Sequence, residues 1–291
     1  MKRILILLFF YVFSFSCNAA TLTDLSYKSV FRTFYPLMFN ALIQDDDYEG
    51  HDLPKVGIKS NGMEYLALMH EVQEYKNALG EDRYLVYVEK REIEKNKYSF
   101  MNGKWVKVQD IYYGFSNTCN ACYAEIDFKI FKKISNGKFE LVSSSQNGYE
   151  SSKGYGVADI DILNLKDKVK KVGETKVGFF HTSSSFNHGL ETTNLNLIVL
   201  DENQIKDFYI DVVGSDNSGR YVDESPLSHT LIGNFKLVDD YLVNGYYPIE
   251  IKFQGDVYDE KSEKIIDYNK VDIYEFSLKE NNFKLKSSRD Y

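Results

Sequence analysis

Glu125-Ile126-Asp127-Phe128-Lys129-Ile130-Phe131 alternates charged and apolar side chains, and after a Ser135-Asn136-Gly137-Lys138 break the chain resumes as Phe139-Glu140-Leu141-Val142. A period of two fits the pleat of a β-strand, where successive side chains leave opposite faces, and does not fit a helix. Asn-Gly between two such runs is the strongest local hairpin signal, because both residues tolerate the positive φ of a type I′ turn. The stretch therefore reads as an antiparallel hairpin.

The same signature recurs on either side. Tyr84-Leu85-Val86-Tyr87-Val88 is another strand, and Met101-Asn102-Gly103-Lys104-Trp105-Val106-Lys107-Val108 repeats the hairpin pattern, with looser echoes at Glu202-Asn203-Gln204-Ile205 and Glu280-Asn281-Asn282-Phe283. The interval between Asn102 and Asn136 suits a meander unit and is short for a propeller blade. With 23 Tyr and 20 Phe against 1 Trp and 4 Pro, the 291-residue chain is rich in strand formers and poor in breakers. The expected fold is mainly β: an antiparallel meander sheet, barrel or propeller-like domain over residues 83–291, with a short N-terminal helical region over 21–82 packed on it. Within that region, residues 25–43 read as helix, capped by Thr23 or Asp24 and kinked or ended by Pro36. Residues 64–79 read as a second helix, because Leu66, Met69, Val72 and Leu79 approach a helical period and Gly80 supplies a stop.

Lys2 and Arg3, an apolar run over residues 4–13 and the small residues of Cys17-Asn18-Ala19-Ala20 have the order of a secretory signal peptide over residues 1–20, cleaved after Ala19 or Ala20. The run is too short for a permanent span, which needs roughly 20 apolar residues. Cys17 raises a lipid anchor, but Ser14 and Phe15 replace the aliphatic and small residues that lipidation favours. Lys and Arg number 35 against 43 Asp and Glu, for a net charge of −8. Losing the leader takes the charge to about −10. Such a chain is no nucleic-acid coat and is suited to a basic protein partner.

Five constellations bear on chemistry. Cys119-Asn120-Ala121-Cys122 sits between strand-like runs and not at a helix start, so a loop disulfide fits an exported chain better than a redox centre or a zinc site. His181-Thr182-Ser183-Ser184-Ser185-Phe186-Asn187-His188 reads as a polar loop, with His181 and His188 as candidate ligand contacts but no nucleophile elbow. Asp216 and Ser218 around a Gly219 turn, with Asp223 and Glu224 following, offer hard oxygens for a structural calcium, although turns use the same residues. Asp45-Asp46-Asp47 reads as a solvated turn, and Gly154-Tyr155-Gly156 lacks the ending and following helix of a phosphate loop.

Taken together, the Cys119–Cys122 segment leading into residues 125–131, the Asn136-Gly137 hairpin, Gly154-Tyr155-Gly156 through Val177-Gly178-Phe179, and Ser215-Asp216-Asn217-Ser218-Gly219 resemble a group of exported β-rich proteins of proteobacteria. The resemblance implies export, β structure and a loop disulfide, and carries no activity. The expected function is that of an exported periplasmic binding or inhibitor-type protein without a catalytic set or cofactor. The alternatives are an envelope enzyme using the 181–188 segment and a thiol-linked factor using Cys119 and Cys122.

Overall fold

The computed structural model describes residues 20–291 apart from 45–47, 97, 102–103, 108–111, 120–121, 146–148, 152–154, 222–224 and 260. The signal-peptide reading, Cys17, Asp223 and Glu224 thus lie outside the described residues. In chain order the first half runs β1 (Thr21–Leu22), α1 (Tyr27–Phe34), β2 (Met38–Phe39), β3 (Leu42–Ile43), β4 (Lys55–Ser60), β5 (Met63–Met69), β6 (Gln73–Lys76), β7 (Asp82–Lys95), β8 (Tyr98–Met101), β9 (Lys104–Lys107), β10 (Tyr112–Phe115), β11 (Ala124–Lys133), β12 (Phe139–Ser144) and β13 (Tyr149–Ser151). After α2 (Leu165–Lys168) come β14 (Lys170–Lys171), β15 (Val177–Asn187), β16 (Leu190–Leu200), β17 (Ile205–Asp216), β18 (Thr230–Leu237), β19 (Ile249–Asp259), β20 (Lys264–Asp267), β21 (Lys270–Ser277) and β22 (Asn282–Asp290).

These strands form two large sheets, and the mainly β, antiparallel expectation holds, with one parallel pair at β3 and β10. The first sheet is ordered β1-β12-β11-β7-β5-β4-β2, with the long β7 at its centre. The second is a meander, β14-β15-β16-β17-β18-β19-β21-β22, in place of a propeller. It curls so that β22 packs against β17. Phe208, Tyr246, Phe276 and Phe283 fill its interior in mostly edge-to-face contacts, such as Phe208–Phe276 at 5.4 Å. Each such buried side chain contributes about 1.5–3 kcal/mol.

The alternation that begins in β11 is satisfied on both faces. Ile126, Phe128 and Ile130 enter a core shared between the sheets, with Val177, Phe179, Ile198 and Ile205 opposite. Their polar neighbours turn toward the face that α1 covers, where Lys90 Nζ lies 2.8 Å from Glu125 Oε2 and 3.1 Å from Asp127 Oδ1, and the Tyr35 hydroxyl donates to Asp127 at 2.7 Å. The Asn136-Gly137 turn does join β11 to β12, but only Gly137 takes positive φ (81°). Gly137 N–H reaches the Ile134 carbonyl at 2.9 Å and Ile134 N–H reaches Lys138 at 2.8 Å, a type I turn closed by a glycine bulge and not type I′.

The helical region is smaller than the sequence suggests. Among the described residues only α1 is helical before residue 83; it is capped by Ser26 and not by Thr23 or Asp24, the Ser26 hydroxyl accepting from Ser29 N–H, and it ends ahead of Pro36. Residues 64–79 are not helix: they form β5, β6 and the turn beyond. Their apolar run is continuous because β5 is buried on both sides, with Tyr65, Ala67 and Met69 in one core and Leu66 and Leu68 in another. Gly80, at φ 79°, serves the β6–β7 hairpin and not a helix end.

Candidate functional site

Along β15, β16 and β17 one face changes character partway. Val177 and Phe179, Ile198 and Leu200, and Ile205 belong to the core between the sheets. Farther along, the same face carries His181, Ser183 and Ser185, then Asn196 and Asn194, then Asp207 and Tyr209. Pairing places His181 opposite Asn196 and Asn196 opposite Tyr209, so these side chains form a row across three strands. Two irregularities in the β16–β17 ladder flank Asn194 and Asn196, the kind of bulge that re-aims side chains beside a site. Where apolar residues give way to polar ones the sheets part, leaving a cleft of about 1310 Å³.

The opposite wall consists of β13 and a strap over residues 155–159. The strap is fastened at several points. Tyr155 N–H donates to the Cys119 carbonyl at 2.8 Å, Gly156 N–H to the Cys122 carbonyl at 3.1 Å, and Ala158 N–H to Glu89 Oε1 at 3.0 Å. Cys119 and Cys122 are at disulfide distance (Sγ–Sγ 2.16 Å, Cα–Cα 5.0 Å). Gly156 sits at φ 69° with a Cβ position only 2.5 Å from the Asn117 carbonyl oxygen, so no side chain fits there. Burial pushes Glu89 up, but hydrogen bonds from His70 and Arg91 outweigh it and hold its carboxyl below the ordinary value. The disulfide loop thus shapes the cleft wall at a distance.

Inside the cleft, the Tyr149 hydroxyl lies 3.1 Å from His181 Nε2 and near enough to the Asp207 carboxylate to oppose the effect of burial on it. A phenol has one hydrogen, so with that given to Asp207 its oxygen accepts from the imidazole N–H. Asp207 is crowded by protein, which drives its carboxyl up to about 7, while its open side toward the cleft lets water offset part of that effect. Burial lowers the His181 pKa against the pull of Asp159. Burial likewise raises the Tyr149 phenol well above its usual value, so it is no nucleophile near neutrality. His181 Nδ1 is sealed and without a partner, so neither ring nitrogen is placed to serve as a base toward a ligand.

The structure separates the two histidines. The 181–188 segment is strand and not a polar loop: His181 is buried on β15, whereas His188 occupies the β15–β16 turn at φ 49°, where its carbonyl accepts from Arg220 Nε at 3.0 Å. Both line the cleft. Asp216 and Ser218 are bound to each other, with the Asp216 carboxylate accepting from Ser218 N–H at 2.8 Å, while Asn217 beneath them bonds His229. They make a tied turn, Asp223 and Glu224 of the expected calcium set lie outside the described residues, and among the described residues there is no group of three His, Cys, Asp or Glu able to hold a metal. Tyr149, Asp159, Asn196 and Asp207 were not legible as site residues from sequence, because each sits alone in an ordinary strand or loop. The polar ending of otherwise apolar strands was the one available signal.

No family model, curated protein or solved structure matches the chain. Among the described residues no helix is long and apolar enough to cross a membrane.

Proposed function

We propose that the chain is an exported, periplasmic binding protein of the inhibitor type, and that its cleft receives a basic region of a partner protein. The observation that carries the reading is electrostatic. Glu150, Asp159, Glu191 and Asp207 line the cleft with the exposed aromatics Tyr155, Phe186 and Tyr209, and among the described lining residues there is neither lysine nor arginine. Elsewhere carboxylates are commonly paired within the chain, as Asp161 is with Lys168 and Asp201 with Lys176. Carboxylates around a concavity with no described cation in its lining lower the potential there and steer a cationic partner in. Aromatic side chains at the rim add contact area at low entropic cost. The leader sequence and the oxidised cysteine pair suit a partner met outside the cytoplasm.

Titration calorimetry of the chain from residue 21 against a short poly-L-lysine tests the reading. Binding that weakens with added salt and falls at least tenfold in an Asp159→Asn/Asp207→Asn variant is expected. Affinity indifferent to both changes would overturn it.

A further inference from the structure

Asn196 is only 8 % exposed and faces the cleft, and beyond the strand ladder its side-chain amide makes no hydrogen bond to any described residue. Neither amide atom is among the sealed unpartnered atoms, so the group is open to whatever enters the cleft, and a side chain this deep gains by pairing with it. Its neighbours across the sheet cannot supply a partner. His181 has one nitrogen on Tyr149 and the other sealed, and the pairing sets Tyr209 on the far side, with Asp207 two residues away on the same face. What surrounds Asn196 is an excess of acceptors. The Asp207 carboxylate is held down only by the nearby Tyr149 hydroxyl and Phe208 N–H, and Asp159 receives a long hydrogen bond, 3.4 Å, from Ser184 N–H. Two cations among the described residues around the cleft do not fill the gap: Lys206 lines an adjoining cavity of about 150 Å³, and Arg220 is spent on the His188 carbonyl.

We infer that the cleft floor is a socket for one cationic side chain, a lysine or arginine presented by the partner, held by the Asn196 amide oxygen and the carboxylates of Asp207 and Asp159, with Tyr209 beside it. The inference rests on the cleft being the recognition surface and specifies what enters it. A bare hydroxyl donor would leave Asp159 without a counter-charge and Asp207 partly protonated, whereas a nitrogen cation supplies the donors and the charge that favours the ionised form of both. The Tyr209 ring offers a cation a further favourable face.

The test is an NMR titration of the 15N-labelled chain from residue 21, following the Asn196 side-chain amide, with Nα-acetyl-lysine amide, Nα-acetyl-arginine amide, the uncharged Nα-acetyl-norleucine amide and spermidine. Saturable shifts with the lysine and arginine probes and none with norleucine are expected. These shifts should be lost or weakened at least tenfold in Asp207→Asn. Asn196→Ala, followed at the Tyr209 and His181 amides, should act likewise, and the dispersion of each spectrum reports whether the variant is folded. If poly-L-lysine binds in a carboxylate-dependent way but the single-residue probes leave Asn196 unmoved, the socket is overturned and the docking function stands. If no cation binds at all, both fall. Spermidine binding without any response to the amino-acid probes overturns the side-chain socket in favour of a free polyamine.

Discussion

The Tyr149 hydroxyl lies 3.1 Å from His181 Nε2, and that contact links β13 of the first sheet to β15 of the second at the inner end of the cleft. The same hydroxyl faces Asp207 on β17, so one phenol oxygen lies beside two strands of the opposite wall. The cleft is therefore closed at its base by a polar pin beside the apolar core.

Tyr149→Phe keeps the ring and removes the pin. Losing the hydroxyl should cost about 1 kcal/mol, because both partners lose a hydrogen bond while retaining some access to the cleft. Urea denaturation reads the loss. The Asp207 carboxyl should titrate higher still in this variant, since the Tyr149 hydrogen bond opposes the effect of burial, and carboxyl-carbon NMR would register the change. An unaltered Asp207 titration would contradict the pairing.

Asp207 sets a pH dependence. With its folded carboxyl driven up to about 7, the folded chain retains a proton that the unfolded chain has already released above the ordinary carboxylate range. Its contribution to stability is therefore largest in acid and declines as pH rises toward about 7. Neutral His181 acts in the opposite direction, losing stability as pH falls through the ordinary imidazole value and below it. Melting temperatures of the natural chain and Asp207→Asn across this range separate the two, and the variant should lack the decline toward neutrality. Parallel curves would show that Asp207 titrates normally.

Glu89 is 2 % exposed and Arg91 4 %, with Glu89 Oε1 lying 2.7 Å from Arg91 Nε. Glu89→Gln leaves the guanidinium buried without a counter-charge and should cost about 3–5 kcal/mol in chemical denaturation. The Glu89 contribution is present above the ordinary carboxylate value and is lost as pH falls through the lower folded value. A cost within the scatter of surface substitutions would mean that the anchor of Ala158 carries no weight.

Removing the disulfide with Cys119→Ser and Cys122→Ser should lower global stability by about 2 kcal/mol or less, since so short a loop constrains little of the unfolded chain. The local effect should be larger. Hydrogen exchange at Tyr155 and Gly156, whose amides donate to the two cysteine carbonyls, should accelerate more than at Ala158, which Glu89 holds independently. Equal protection before and after would sever the link between the disulfide and the cleft wall.

The sequence by itself determined the secondary structure where period and turn chemistry agree. The alternation of residues 125–131, the hairpin at Gly137 and the meander of the second half follow from side-chain placement and backbone preference, both of which act locally. A helix ended ahead of Pro36 was legible for the same reason, but its cap is Ser26 and not Thr23 or Asp24, and residues 38–39 and 42–43 of the expected helix are short strands. Residues 64–79 were misread because burial on both faces of β5 erases the period that separates strand from helix, and burial is a property of the assembled sheets. Only the tertiary structure could make a site. Tyr149, Asp159, His181, Asn196 and Asp207 are drawn from two sheets and a strap, and nothing in their spacing along the chain marks them. Strand pairing and the packing of one sheet on the other decide which polar residues end up facing a shared cleft. The unneutralised charge gathered there arises from that convergence, and the net charge of the chain does not reveal it.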